Sequence, residues 1–120
     1  MSDTPRLLVV DEDPQTRALL ALLLGGEGYR VELAPALNAD AARRADLVVA
    51  DGRYTTQAAF EAAAPAIVAA AAGAPVVLLS ALALDPAQAR AHGFRDLVPK
   101  PFDIDELLDT VGRLLAPDAD

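Results

Sequence analysis

Asp46-Leu47-Val48-Val49-Ala50-Asp51 is an unbroken apolar run between two acids. A strand with one wet face alternates apolar and polar residues. A strand apolar at every position is covered on both faces, as inside a parallel sheet. Two further runs of this kind flank it. Leu7-Leu8-Val9-Val10 leads into Asp11-Glu12-Asp13-Pro14, and Val76-Val77-Leu78-Leu79 ends at Ser80. The segments between them have helical character. Asp13 and Pro14 suit an N-cap and a first helical turn, and that helix runs to about Leu24 before Gly25-Gly26. Tyr29 to Leu33 alternates and reads as a strand. Asn38 caps a short helix through Arg44. Thr56 to Ala72 reads as helix, with Pro65 predicted to bend or restart it. Asp85-Pro86 opens a short helix to about Ala91, which Gly93 stops. Phe94 to Val98 reads as a last strand, and Asp103 caps a helix to about Leu115. Strand and helix thus alternate five times. The expectation is an α/β fold, a doubly wound five-stranded parallel sheet with right-handed crossovers.

The chain has 120 residues, 53% of them apolar and only 4% aromatic, with no Trp, so the core must be mostly Ala, Val and Leu. One domain over 1–116 is expected, with a frayed tail over 117–120 and no output domain. The net charge of −8 argues against DNA binding by this chain. The absence of cysteine excludes disulfides and thiolate metal sites. The first apolar run is too short for a signal peptide, and no run is long enough to span a membrane. A cytoplasmic location is expected.

In open parallel sheets, ligands bind beyond the carboxyl ends of the strands. Four strands end there in polar residues: Asp11 with Glu12, Asp51, Ser80 and Lys100. Lys100 is the only lysine, and the other nine basic residues are arginine. An ammonium is a compact point charge on a flexible stem, suited to holding one phosphate oxygen. Three converging carboxylates repel one another unless a cation sits among them, and their hard oxygens suit Mg²⁺. A carboxylate beside Mg²⁺ can attack phosphorus and form an acyl phosphate. Mg²⁺ on Glu12 and Asp51, the Lys100 ammonium and the Ser80 hydroxyl would then neutralise the phosphoryl oxygens. Asp13, directly before Pro14, reads as a helix cap instead.

Leu8-Val9-Val10-Asp11-Glu12-Asp13-Pro14, Asp46 to Asp51, Pro75 to Ala81 and Lys100-Pro101-Phe102-Asp103, in this order and spacing, resemble the receiver domain of two-component response regulators. The resemblance covers Leu7 to Leu115. It implies a stand-alone receiver of flavodoxin-like (βα)5 type with strand order 2-1-3-4-5. It also implies Mg²⁺-dependent phosphorylation of Asp51. Asp11, Glu12, Asp51 and the backbone carbonyl of Arg53 would be the metal ligands, Ser80 the switch hydroxyl and Lys100 the phosphoryl-binding lysine. A cis Lys100–Pro101 bond is implied as well. Such a receiver is not an enzyme with turnover of its own, although it assists its own phosphorylation and dephosphorylation. Its partner would be a histidine kinase or phosphotransfer protein. Docking is expected near Gln15, Ala18 and Leu22 on the first helix, with Leu19, Leu20, Leu23 and Leu24 facing the core.

The chain departs from the family pattern at several positions. Glu12 stands where Asp is more frequent, Leu97 where an aromatic usually swings inward, and Thr55 where a proline is usual. The second and fourth helices are short. These departures predict an intact phosphorylation site and a weakened relay. The main rival is a degenerate receiver used as a phosphorylation-independent interaction module. A haloacid-dehalogenase-type phosphohydrolase is poorer, since it leaves Asp51 without a task. A dinucleotide site is poorer still, because Gly25-Gly26-Glu27-Gly28 closes a helix. His92 reads as a helix-end cation.

Overall fold

A computed structural model describes residues 4–52 and 56–116. Five strands alternate with five helices: β1 Arg6–Val10, α1 Pro14–Gly25, β2 Arg30–Ala34, α2 Ala39–Arg43, β3 Leu47–Gly52, α3 Gln57–Ala70, β4 Val76–Ser80, α4 Pro86–Ala91, β5 Asp96–Pro99 and α5 Ile104–Leu115. The sheet is parallel with order β2-β1-β3-β4-β5. This is the expected doubly wound (βα)5 fold, with β1 and β3 side by side where the winding reverses.

The continuous apolar runs are buried on both faces, and alternate residues serve opposite layers. Leu8, Val10, Val48, Ala50, Val76, Leu78 and Leu97 face α2, α3 and α4, meeting Ala41, Ala42, Phe60, Ala64 and Ala89. Leu7, Val9, Leu47, Val49, Val77, Leu79 and Val98 face α1 and α5, meeting Leu20, Leu24, Leu107 and Val111. On the helix side the first layer is thus rich in alanine, while the second is built from leucine and valine.

The helix starts follow the cap chemistry. Asp13, Asn38, Thr56, Asp85 and Asp103 each accept a backbone N–H of the following turn, and Asp85 completes a capping box with Gln88. Gly93, at φ +99°, ends α4. A Cβ there would lie 3.1 Å from a Val68 methyl, so the residue serves both the turn and the packing on α3.

Three expectations require correction. Of the bend or restart expected at Pro65, the restart does not occur: α3 runs through it as one helix. Pro65 lies on the exposed side, where water can satisfy the carbonyl that a proline leaves without its donor. Leu19 does not face the core and is 45% exposed; only Leu20 and Leu24 of α1 are fully buried. β5 begins at Asp96, two residues later than the apolar pattern places it. Phe94 is buried before the strand begins, stacked on Phe60.

Candidate functional site

Parallel strands bring all their carboxyl ends to one edge. There the sequence-predicted residues Asp11, Asp51, Ser80 and Lys100 gather at the ends of β1, β3, β4 and β5. Lys100 Nζ makes a direct contact with Asp51 Oδ1 and lies 3.7 Å from Asp11 Oδ2. The carboxylates are almost wholly withdrawn from solvent, with side-chain exposures of 0% for Asp11 and 3% for Asp51. A buried carboxylate pair is tolerable only with a compensating cation. Here the lone ammonium of the chain supplies it. Lys100 is aimed by its backbone: its N–H donates to the Ser80 carbonyl at 2.8 Å, and the Lys100–Pro101 bond is cis, as expected.

Each remaining residue of the edge has a defined place. Asp11 Oδ1 accepts the Asp13 N–H at 2.8 Å, which fixes the turn into α1. Asp13 is the N-cap of α1 and also accepts the Thr16 hydroxyl at 2.8 Å, so it is spent on structure as expected. Ser80 is fully buried, and its Oγ accepts the Leu82 N–H at 3.1 Å, turned toward the loop after β4. Glu12 is exposed. It lines a cavity of about 240 Å³ together with Asp11, Asp51, Leu37 and Ile67. Arg53, whose carbonyl was expected as a ligand, and Thr55 lie outside the described residues.

Sequence reading missed Arg17. Its Nη1 donates to the Asp11 carbonyl at 2.7 Å and reaches the Glu12 carbonyl at 3.5 Å, clamping the acidic loop from α1. The available signal was a single charge on a helix that otherwise reads Pro14 to Gly25 without one. A second cavity, of about 380 Å³, lies between α1 and the loop after β5. It is lined by Thr16, Leu19, Lys100, Pro101, Phe102 and Ile104. His92 caps α4 with Nδ1 2.9 Å from the Gln88 carbonyl and its ring edge-on to Phe60, far from a ligand role.

The donor set fits Mg²⁺. That ion keeps several waters and needs only one or two protein carboxylates, and Asp11 and Asp51 already share one cation. Among the described residues no group of three or more His, Cys, Asp or Glu side chains is placed to hold a metal ion, so Glu12 does not stand with Asp11 and Asp51 as a third carboxylate. An open site of two carboxylates, with Glu12 at its rim, accords with that.

No family model matches the chain. It is 35% identical over 116 residues to the DNA-binding transcriptional regulator NtrC of Rhizobium meliloti, a match covering 92% of this chain. It spans about a quarter (24%) of the length of the curated relatives it matches. The HemR receiver domain of Leptospira biflexa superposes with a TM-score of 0.69 at 29% identity, covering 98% of each chain. In sequence and in fold the chain is similar to the receiver domains of response regulators. A pilus assembly-related protein of Burkholderia pseudomallei shares the fold at TM-score 0.71 and 26% identity, covering 98% of this chain and 95% of that chain. Receivers of this kind serve two-component phosphorelay signalling, generally use Mg²⁺ and meet histidine kinases or phosphotransfer proteins. Among the described residues, no helix is long and apolar enough to cross a membrane.

Proposed function

We propose that this receiver accepts a phosphoryl group on Asp51 in a Mg²⁺-dependent reaction. The observation that carries the reading is the Lys100 ammonium held between the buried Asp51 and Asp11 carboxylates. An Asp51 oxygen attacks phosphorus of a phosphohistidine on the partner. The P–N bond breaks, its electron pair leaves with the imidazole nitrogen, and an acyl phosphate remains on Asp51. Lys100, already against Asp51, transfers its contact to a phosphoryl oxygen. Ser80 has to turn its hydroxyl from the Leu82 carbonyl, to which it donates at 3.5 Å, and give up the Leu82 N–H to offer its proton to another. When bound, Mg²⁺ supplies charge neutralisation for the phosphoryl oxygens. Asp11, Asp51 and the Arg53 carbonyl are the residues to hold it, with Glu12 at the rim. Return to the starting state needs only water: it attacks phosphorus, the bond to Asp51 breaks, and phosphate departs. The partner docks on Gln15, Ala18 and Leu22 of α1, a reading supported by the exposure of all three and of Leu19 beside the Lys100 groove.

The test is intact-protein mass spectrometry after treatment with acetyl phosphate and Mg²⁺. One phosphoryl should be gained, and none by Asp51→Asn or in EDTA. No gain, or a gain that survives Asp51→Asn, would overturn the reading.

A further inference from the structure

The opposite edge of the sheet carries a second concentration of charge, of the other sign. Arg6 and Arg30 open β1 and β2 and are register partners. Neighbouring strands lie about 4.8 Å apart, so the two arginines spring from adjacent points of the sheet. With Arg44, which follows α2, they line a groove of about 270 Å³ whose only acid among the described residues is Glu32. Glu32 is already engaged by Arg44 at 2.9 Å. The nearby Asp46 carboxylate accepts the Arg6 backbone N–H instead of pairing its guanidinium.

This is anomalous in a chain with 18 acids and ten bases. Elsewhere most of the described arginines find partners: Arg43 pairs Asp40, Arg90 and Arg113 meet Asp96, and Arg17 holds two carbonyls, while the exposed Arg95 stands alone, with no like charge opposite it. Among the described residues Arg6 and Arg30 have no side-chain partner, yet they face each other, and like charges directly opposite are destabilising. Charge on an exposed edge strand guards against unwanted pairing. That accounts for Arg30 on the edge strand β2, but Arg6 stands on β1, between β2 and β3. The five-residue α2 leaves this end of the two strands uncovered.

We propose that this groove binds a small dianion carrying phosphate or carboxylate groups. Arg6 and Arg30 would be its principal contacts, and Arg44 would be released to it from Glu32. Planar guanidinium forks grip paired oxygens of either group and tolerate close approach to one another once an anion lies between them. The site lies about five residues of strand, roughly 16 Å, from the phosphoacceptor edge and is independent of it.

The test is a titration of ¹⁵N-labelled protein with pyrophosphate, and separately with succinate, at constant ionic strength in EDTA. Saturable shifts are expected at the arginine side chains and at the amides of residues 6–8 and 30–32. Arg6→Gln with Arg30→Gln should weaken binding at least tenfold, and Asp51→Asn should leave it unchanged. Response to pyrophosphate alone assigns a phosphate ligand, and response to succinate a carboxylate one. Arg30→Gln, free of ligand, should melt no lower than the wild type, since it removes a repulsion. Shifts confined to Asp51 and Lys100, shifts that merely follow added chloride, or undiminished binding by the double variant would overturn the proposal. A lower melting temperature for Arg30→Gln would likewise show that the arginines serve the fold.

Discussion

Asp51, Ser80 and Lys100 were legible because each terminates an apolar run, and a polar residue at such a boundary stands out against the strand before it. Asp11 was legible for the same reason. The division of labour among neighbouring acids was less so. Asp13 was separable from Asp11 only through Pro14, which marks it as a cap. Glu12, one residue beyond the buried Asp11, points to the rim of the site, because successive side chains leaving a strand diverge. Arg17 could not be found from spacing, since its task is a side-chain bond to backbone carbonyls, which leave no residue-type signature. It is nevertheless the clamp on the acidic turn, and outer partners of this kind typically tune metal affinity by 10–100-fold. Arg17→Ala should therefore bind Mg²⁺ about tenfold more weakly, with partial recovery in Arg17→Lys. At a Mg²⁺ concentration near 100 Kd of the parent, the stabilisation of about 2.7 kcal/mol should fall to about 1.4 kcal/mol in the variant. Calorimetric titration and melting with and without Mg²⁺ both read this. An unchanged increment in Arg17→Ala would remove the clamp. An increment that persists in Glu12→Gln with Asp51→Asn would remove the metal site itself.

Elements were read well where local chemistry dominates and less well where tertiary packing decides. The five N-caps are short-range side-chain bonds, so the helix starts followed from single residues. The continuity of α3 through Pro65 did not, because it depends on which side of the helix meets solvent. The same ambiguity misplaced Leu19. On a helix that reads only Ala and Leu from Ala18 to Leu24, the apolar stripe is too broad to fix its own rotation. The corrected rotation strengthens the docking argument. Leu19 at 45% and Leu22 at 73% exposure join Ala18 on one side of α1, and Ile104 of α5, at 46%, adds to the rim across the groove beside Lys100. Surface helices of globular domains normally carry charge there, and contiguous exposed apolar groups mark interaction sites. Leu22→Glu should leave the melting temperature within a degree or two of the parent, since it vacates no core. It should also slow phosphoryl transfer from a cognate donor at least tenfold while leaving phosphorylation by acetyl phosphate unchanged. Equal transfer rates in a folded variant would end the docking assignment.

At the scale of the molecule, the question is how far a phosphoryl on Asp51 is felt. A switch needs an element with two packings, one of them favoured by the modification. The site supplies the first half, since Ser80 Oγ rests on the Leu82 N–H and can be drawn toward the phosphoryl. The second half is missing. Leu97 stands where an aromatic would move inward, and at 6% exposure it is already packed in the alanine-rich layer. The outer face is also tied down. Asp96 accepts the Leu97 N–H at 2.8 Å, meets Arg113 of α5 at 3.0 Å, and lies 3.9 Å from Arg90 of α4. One carboxylate with 14% side-chain exposure thus pins three elements together. A phosphoryl should therefore be held at the site and reported weakly through α4 and β5. With beryllofluoride as the phosphoryl mimic, amide shifts should be large near Asp51, Ser80 and Lys100 and small from Asp85 to Val98. Asp96→Ala should widen the response by releasing α4 and α5. Shifts across Asp85 to Val98 in the parent as large as those at the site would show that the fold switches without an aromatic, through a movement of α4 that the Asp96 ties do not restrain.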